Sequence, residues 1–192
     1  MDARYLTLLA ENRLEQRVEQ LEALLASCTV CPKDCGNDRL NDEIAACHSG
    51  RLPIVSSYTA HFGEEPCLSG TNGAGNIFFG NCNLRCVYCQ NYQISQIWRE
   101  QKKNEVTHKR LAEMMLELQE RGCHNIGFVS PTHFAPQMAR AILIAARQGL
   151  TLPPAREELC HFCLYVGSGF SRTAVPGVGN EGPAEAGPYL RC

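Results

Sequence analysis

FFGNCNLRCVYCQNY, residues 78–92, decides how the rest of the chain is read. Two phenylalanines and a glycine close an apolar run, and Cys82, Cys86 and Cys89 follow at the spacing C-x3-C-x2-C. Three thiols are one short of a structural zinc site, and disulfides need an even count. On a loop leaving a strand, three thiolates can converge on one point. A cubane 4Fe–4S cluster has four irons and commonly takes four cysteines. With three local thiolates one iron keeps an open position, as catalytic metal sites do. The competing reading is a zinc ion completed from a distance by His133 or Cys123.

Working outward, NIFF (76–79) is a short apolar strand feeding that loop. GTNGAG (70–75) precedes the strand instead of joining a strand to a helix, so it reads as a turn and not a phosphate cradle. PIVSSYTAHF (53–62) is rich in β-formers and reads as extended. Downstream, Thr107 can cap a helix with Leu111, Met114, Met115 and Leu118 on one face, stopped by Gly122. HNIGFVS (124–130) is a second short strand ending at Pro131. A further helix runs from about Pro136 to Gln148, with Met138, Ile142 and Ala145 inward. Strand, cysteine loop, helix, strand, loop, helix predicts an α/β fold with a parallel sheet and right-handed crossovers. Ligands of such sheets gather at the C-terminal strand ends, where Cys82–Cys89 and Ser130–His133 both fall.

Leu14, Val18, Leu21 and Leu25 recur at spacings of three and four, which predicts one amphipathic helix over residues 3–26 packed on its own domain. Cys28, Cys31, Cys35 and Cys47 come next, in a polar stretch turned by Pro32 and Gly36. Four thiols so placed suit zinc or an auxiliary iron–sulfur cluster, with His48 in reserve; buried thiols without metal are the alternative. Zn–S bonds of about 2.3 Å require the four sulfurs to converge. Glu64 and Glu65 are adjacent carboxylates, which in an extended segment point to opposite sides and are solvated. Cys160-His161-Phe162-Cys163 is a single C-x2-C and carries little alone, while Cys67, Cys123 and Cys192 stand apart.

A chain of 192 residues suits one domain, and 44% hydrophobic with 20% charged residues is ordinary globular composition. A net charge of −2 without a basic block gives no footprint for nucleic acid or an anionic membrane. No apolar run approaches the roughly 20 residues of a membrane span. The first residues lack the features of a signal peptide, so a cytoplasmic, reducing setting is expected, in which twelve cysteines serve as metal ligands or reactive thiols. Three segments result: a helix and cysteine-rich metal-binding segment (1–50), an α/β core (51–152) and a tail (153–192). Glycine and proline supply 11 of the 40 tail positions, against 15 of the preceding 152. Pro153-Pro154 has no N–H to donate to a third strand starting at Leu150. The tail is therefore expected to lie outside the fold, as a non-native ending that leaves a sheet edge exposed and the product aggregation-prone.

CNLRCVYC (82–89), with Tyr88 before the third cysteine, resembles the motif of the radical S-adenosylmethionine (SAM) enzymes. CTVCPKDCGNDR (28–39), YTAHFGEEP (58–66), IFFGNCNLRCVYCQNYQIS (77–95) and FVSPTHFAPQ (128–137) look like successive blocks of the subgroup related to pyruvate formate-lyase activating enzymes. The resemblance covers about residues 25–152. It implies a partial β/α barrel, about two of the family's usual six units. It implies that Cys82, Cys86 and Cys89 bind a 4Fe–4S cluster whose fourth iron is chelated by SAM, with Tyr88 near the adenine. Reductive cleavage of SAM would then give methionine and a 5′-deoxyadenosyl radical that abstracts hydrogen. Where many members carry Gly-Gly-Glu-Pro to receive the SAM amino group, this chain reads Ser130-Pro131-Thr132-His133; Ser130, Thr132 and His133 take that role, or His133 is an ordinary loop histidine. An electron donor of ferredoxin or flavodoxin type and a protein substrate of the glycyl-radical kind are the implied partners. The second function class is a non-catalytic metal-binding product of a shortened or frame-shifted reading frame.

Overall fold

The first residues form two helices where the apolar spacing predicts one. A computed structural model describes residues 3–63 and 66–154. In it, α1 (Arg4–Ala10) and α2 (Leu14–Ala23) are separated at Asn12, whose φ of 56° lies in the left-handed region that asparagine tolerates. The inward face is the predicted one: Leu14, Val18 and Leu21 are buried, with Tyr5 and Leu8 from α1. The cysteine-rich stretch then loops through a 3-10 turn at Arg39–Asn41 to β1 (Val55–His61). A short α3 (Pro66–Ser69) and a turn with positive φ at Gly70 and Gly73 lead into β2 (Ala74–Phe79). Beyond the cysteine loop come α4 (Tyr92–Gln96), α5 (Trp98–Gln101), α6 (His108–Glu120), β3 (Ile126–Val129) and α7 (Ala135–Arg147).

The sheet has the order β1-β2-β3, and it is mixed. β2 and β3 run parallel, with Gly75 opposite Ile126 and Phe78 beside Val129. β1 runs antiparallel to β2, with His61 opposite Ala74, so the extended segment read at 53–62 adds an antiparallel edge to the expected parallel pair. The connections explain the difference. Residues 62–73 hold only the four-residue α3 and return the chain beside itself, whereas residues 80–125 hold α6 and make room for a parallel crossover. Past β3, the Ile126 N–H donates to the Pro153 carbonyl at 3.0 Å, and Pro154 bridges parallel to Ile126. Proline lacks a donor but keeps its acceptor, so Pro153-Pro154 does pair with the sheet at this point.

Thr107 caps α6 as expected, its Oγ1 accepting from the Arg110 N–H at 3.1 Å. Thr107→Ala should lower stability by about 1 kcal/mol in urea unfolding, and an unchanged midpoint would show that the cap is idle. α7 is buried nearly all round because it packs on both α6 and α2. Arg140 pairs with Glu22, and Arg147 with Glu15 at 2.8 Å, fastening α7 to α2. The Tyr5 hydroxyl donates to the carbonyls of Leu150 and Leu152. Tyr5, Leu8 and Val18 belong to the same hydrophobic cluster as Ile77, Phe128 and Met138, so the N-terminal helices and the sheet share one core. No helix among the described residues is long and apolar enough to cross a membrane. Glu64, Glu65, the Cys160/Cys163 pair and the tail beyond residue 154 lie outside the described residues.

Candidate cluster and cosubstrate site

β2 delivers the cysteine loop through Gly80, where a Cβ would sit 2.5 Å from Ile54 Cγ2 and 2.9 Å from Gln101 Oε1. Only glycine fits there. Asn81 follows at φ 62°; its N–H donates to Ile94 O at 2.7 Å and its Nδ2 to His48 O at 2.8 Å. Arg85, at φ 55°, turns the loop again and reaches Ala46 O at 3.4 Å. Gln96 of α4 donates to Cys86 O at 2.7 Å and closes the loop from the other side. Two sulfurs already carry hydrogen bonds: the Leu84 N–H points at Cys82 Sγ (3.4 Å), and the Ser95 hydroxyl lies 3.2 Å from Cys89 Sγ. Cys82, Cys86 and Cys89 are half-buried, while Leu84, Val87 and Tyr88 project outward, Tyr88 with 81% of its surface exposed.

β3 ends beside this loop, since it runs parallel to β2 and in register with it. Ser130 (φ 59°) and Thr132 are half-buried at that end. His133 is different: it is 1% exposed and lines a separate cavity with Cys28, Cys31, Cys35, Cys47 and Arg39. Burial first, and the neighbouring Arg39 second, push its imidazole down to about 3, against a weaker opposing contact with the Gly80 backbone, so the ring is neutral at physiological pH. Burial likewise raises the Cys31 thiol; hydrogen bonds from the Lys33 backbone and the Asn83 side chain oppose this, and the nearby Cys47 and Cys28 thiols add to it. His48, the reserve ligand, stacks on Trp98 with centroids 4.4 Å apart. Cys123 is buried just before β3, at the opposite end of the sheet from the cysteine loop, so it cannot complete a site there. As they lie, no three Cys, His, Asp or Glu side chains among the described residues converge closely enough to hold a metal ion.

Asn81, Asn83, Arg85 and Gln96 shape the loop and were not singled out in the sequence. Two asparagines flanking the first cysteine were the visible signal, because asparagine suits left-handed backbone and supplies both donor and acceptor.

A loop of three cysteines thus stands at the C-terminal end of β2, beside the end of its parallel neighbour β3. The model of the radical SAM superfamily matches residues 76–172, half of the chain. This chain belongs to the radical SAM superfamily. Its members generally bind a 4Fe–4S cluster and SAM. The donor set here fits such a cluster: three soft sulfurs, no carboxylate among them, and N–H and O–H groups placed to steady the thiolates. The match extends past residue 152, into the stretch that glycine and proline density set apart. An uncharacterised protein of Methanocaldococcus jannaschii is 33% identical over 91 residues, 45% of this chain and 24% of that protein. The chain thus spans about a quarter of the length of the curated relative it matches. No solved structure matches it.

Proposed function

We propose that this chain is a radical SAM iron–sulfur protein of the subgroup resembling pyruvate formate-lyase activating enzymes. The observation that carries the reading is the C-x3-C-x2-C loop seated where parallel β2 and β3 both end. Bound there, the cluster and SAM would supply one-electron reductive chemistry directed at hydrogen abstraction. The chain's own part is to hold and orient. Cys82, Cys86 and Cys89 provide three thiolates, tempered by the Leu84 N–H and the Ser95 hydroxyl. Ser130, Thr132 and the carbonyls ending β3 receive the SAM amino group, and Tyr88 folds over the adenine. A ferredoxin- or flavodoxin-type donor supplies the electron in a reducing compartment. A protein of the glycyl-radical type is the substrate that the subgroup resemblance favours.

The test is anaerobic reconstitution of the full chain with iron and sulfide, then incubation with SAM and dithionite. Formation of 5′-deoxyadenosine that depends on the reductant is the expected result. A chain that carries the cluster yet yields no 5′-deoxyadenosine would overturn the assignment.

A further inference from the structure

Around the cavity lined by His133, three observations point to a missing partner. The first is an imidazole without one. His133 is fully buried, and neither ring nitrogen has a hydrogen bond of ordinary geometry. Leaving a buried polar group unsatisfied forfeits its hydration with nothing in return. The second is a cation without an anion. Arg39 is 1% exposed; its guanidinium donates to Gly50 O at 3.1 and 3.0 Å and to His133 O at 2.6 Å, and lies 4.0 Å from Cys28 Sγ. Those acceptors are carbonyls and a thiol, and no carboxylate pairs with Arg39 among the described residues. Buried charges are normally paired or bound to metal. The third is the rim itself, formed by Cys28, Cys31, Cys35 and Cys47 together with His133.

We infer that this cavity binds one zinc-like divalent ion through Cys28, Cys31, Cys47 and His133, with Arg39 as the charge-balancing neighbour. The cavity is small, about 20 Å³, which suits a single ion better than a cubane. Charge selects the ligands. Three thiolates and a divalent ion leave one negative charge, which the guanidinium cancels; four thiolates would leave two. Exposure agrees, since Cys28 and Cys47 are buried and Cys31 half-buried, whereas Cys35 is exposed at the mouth. Its thiol donates to Cys28 O at 3.8 Å. Cys3His is an established tetrahedral set. The donors surround the space without having closed on it, so binding draws them in.

The site stands independently of the reading of the Cys82–Cys89 loop, but it touches that loop. The Asn83 side chain lies beside Cys31, and the carbonyls of Ala46 and His48, either side of Cys47, hold Arg85 and Asn81. The ion would therefore brace the loop from beneath.

Cysteine alkylation of the full chain, purified without oxygen and read by mass spectrometry with and without stoichiometric Zn2+, tests this without any substitution. Zinc should protect Cys28, Cys31 and Cys47 and leave Cys35 reactive. In a chain carrying C82A, C86A and C89A, Co2+ should give a tetrahedral, thiolate-to-metal spectrum. H133A should abolish its four-coordinate bands, and R39Q should weaken metal binding about 10- to 100-fold. Three outcomes would each overturn the assignment: no protection by zinc, protection of Cys35 with a cobalt spectrum indifferent to H133A, or an iron–sulfur chromophore retained by the triple variant.

Discussion

Anaerobically reconstituted protein with Cys82, Cys86 and Cys89 all replaced by alanine is expected to lose its SAM-responsive iron–sulfur signal completely while keeping its far-ultraviolet circular dichroism. The two halves of that expectation rest on different properties of the loop. The three sulfurs are half-buried and absent from the hydrophobic cluster that joins the sheet to its helices, so their loss removes little packing. The loop's own shape depends on Gly80, Asn81 and Gln96, which the substitutions leave in place. Changes away from the core generally cost within about 0.5 kcal/mol. The chemistry has no such redundancy. Cys123 lies at the other end of the sheet, and His133 faces the cavity of the N-terminal thiols, so neither can substitute as a ligand. A signal that survives the triple replacement, measured by electron paramagnetic resonance with and without SAM, would place the cluster elsewhere.

The largest effect on stability is expected from Phe134→Ala. Phe134 is fully buried, with its ring centroid 5.3 Å from Phe79 and 4.3 Å from His133, and the Arg39 guanidinium 5.6 Å above it. It is the joint between the end of β2, the end of β3 and the cysteine-rich stretch. Truncating a buried phenylalanine costs about 3–5 kcal/mol, a large part of the roughly 5–15 kcal/mol that holds a domain folded. With a urea dependence of about 1–3 kcal/mol per molar, the unfolding midpoint should drop by at least about 1 M. Tyr92, exposed at the start of α4, is the control, and Tyr92→Ala should shift the midpoint hardly at all. A drop below 1 kcal/mol at Phe134 would mean that the aromatic joint can collapse around the void.

What could be read in the sequence was local. α6 announced itself by Thr107, by Leu111, Met114, Met115 and Leu118, and by Gly122, because cap, stripe and stop all lie within sixteen residues. β2, β3 and α7 were legible for the same reason. The direction of β1 was not, because it depends on how residues 62–73 return the chain and not on β1's own residues. The split at Asn12 was hidden because the apolar spacing continues through it. The cysteine triad was visible as a motif, whereas its supports, Asn81 on His48 O and Arg85 on Ala46 O, join residues more than thirty positions apart. His133 shows the limit most clearly. Its neighbours in sequence placed it at the end of β3 with Ser130 and Thr132, and only the fold turns it toward Cys28 and Cys47. Arg39 closes the block CTVCPKDCGNDR, so a cation among four thiols was there to be noticed.

The fastening of α1 and α2 onto α7 and the residues after it sets the order in which the molecule can assemble on the ribosome. Tyr5 bonds Leu150 across 145 positions, and Glu22 pairs with Arg140 across 118. Translation at about 5–20 residues per second puts roughly 6 to 25 s between the emergence of α2 and that of α7. During that interval Leu14, Val18 and Leu21 lack the α7 surface that covers them in the fold, so the nascent chain presents an apolar helix face to chaperones. Docking of the first helices is then a late event, and folding should be slow for a chain of this size because its closing contacts span nearly all of the described residues.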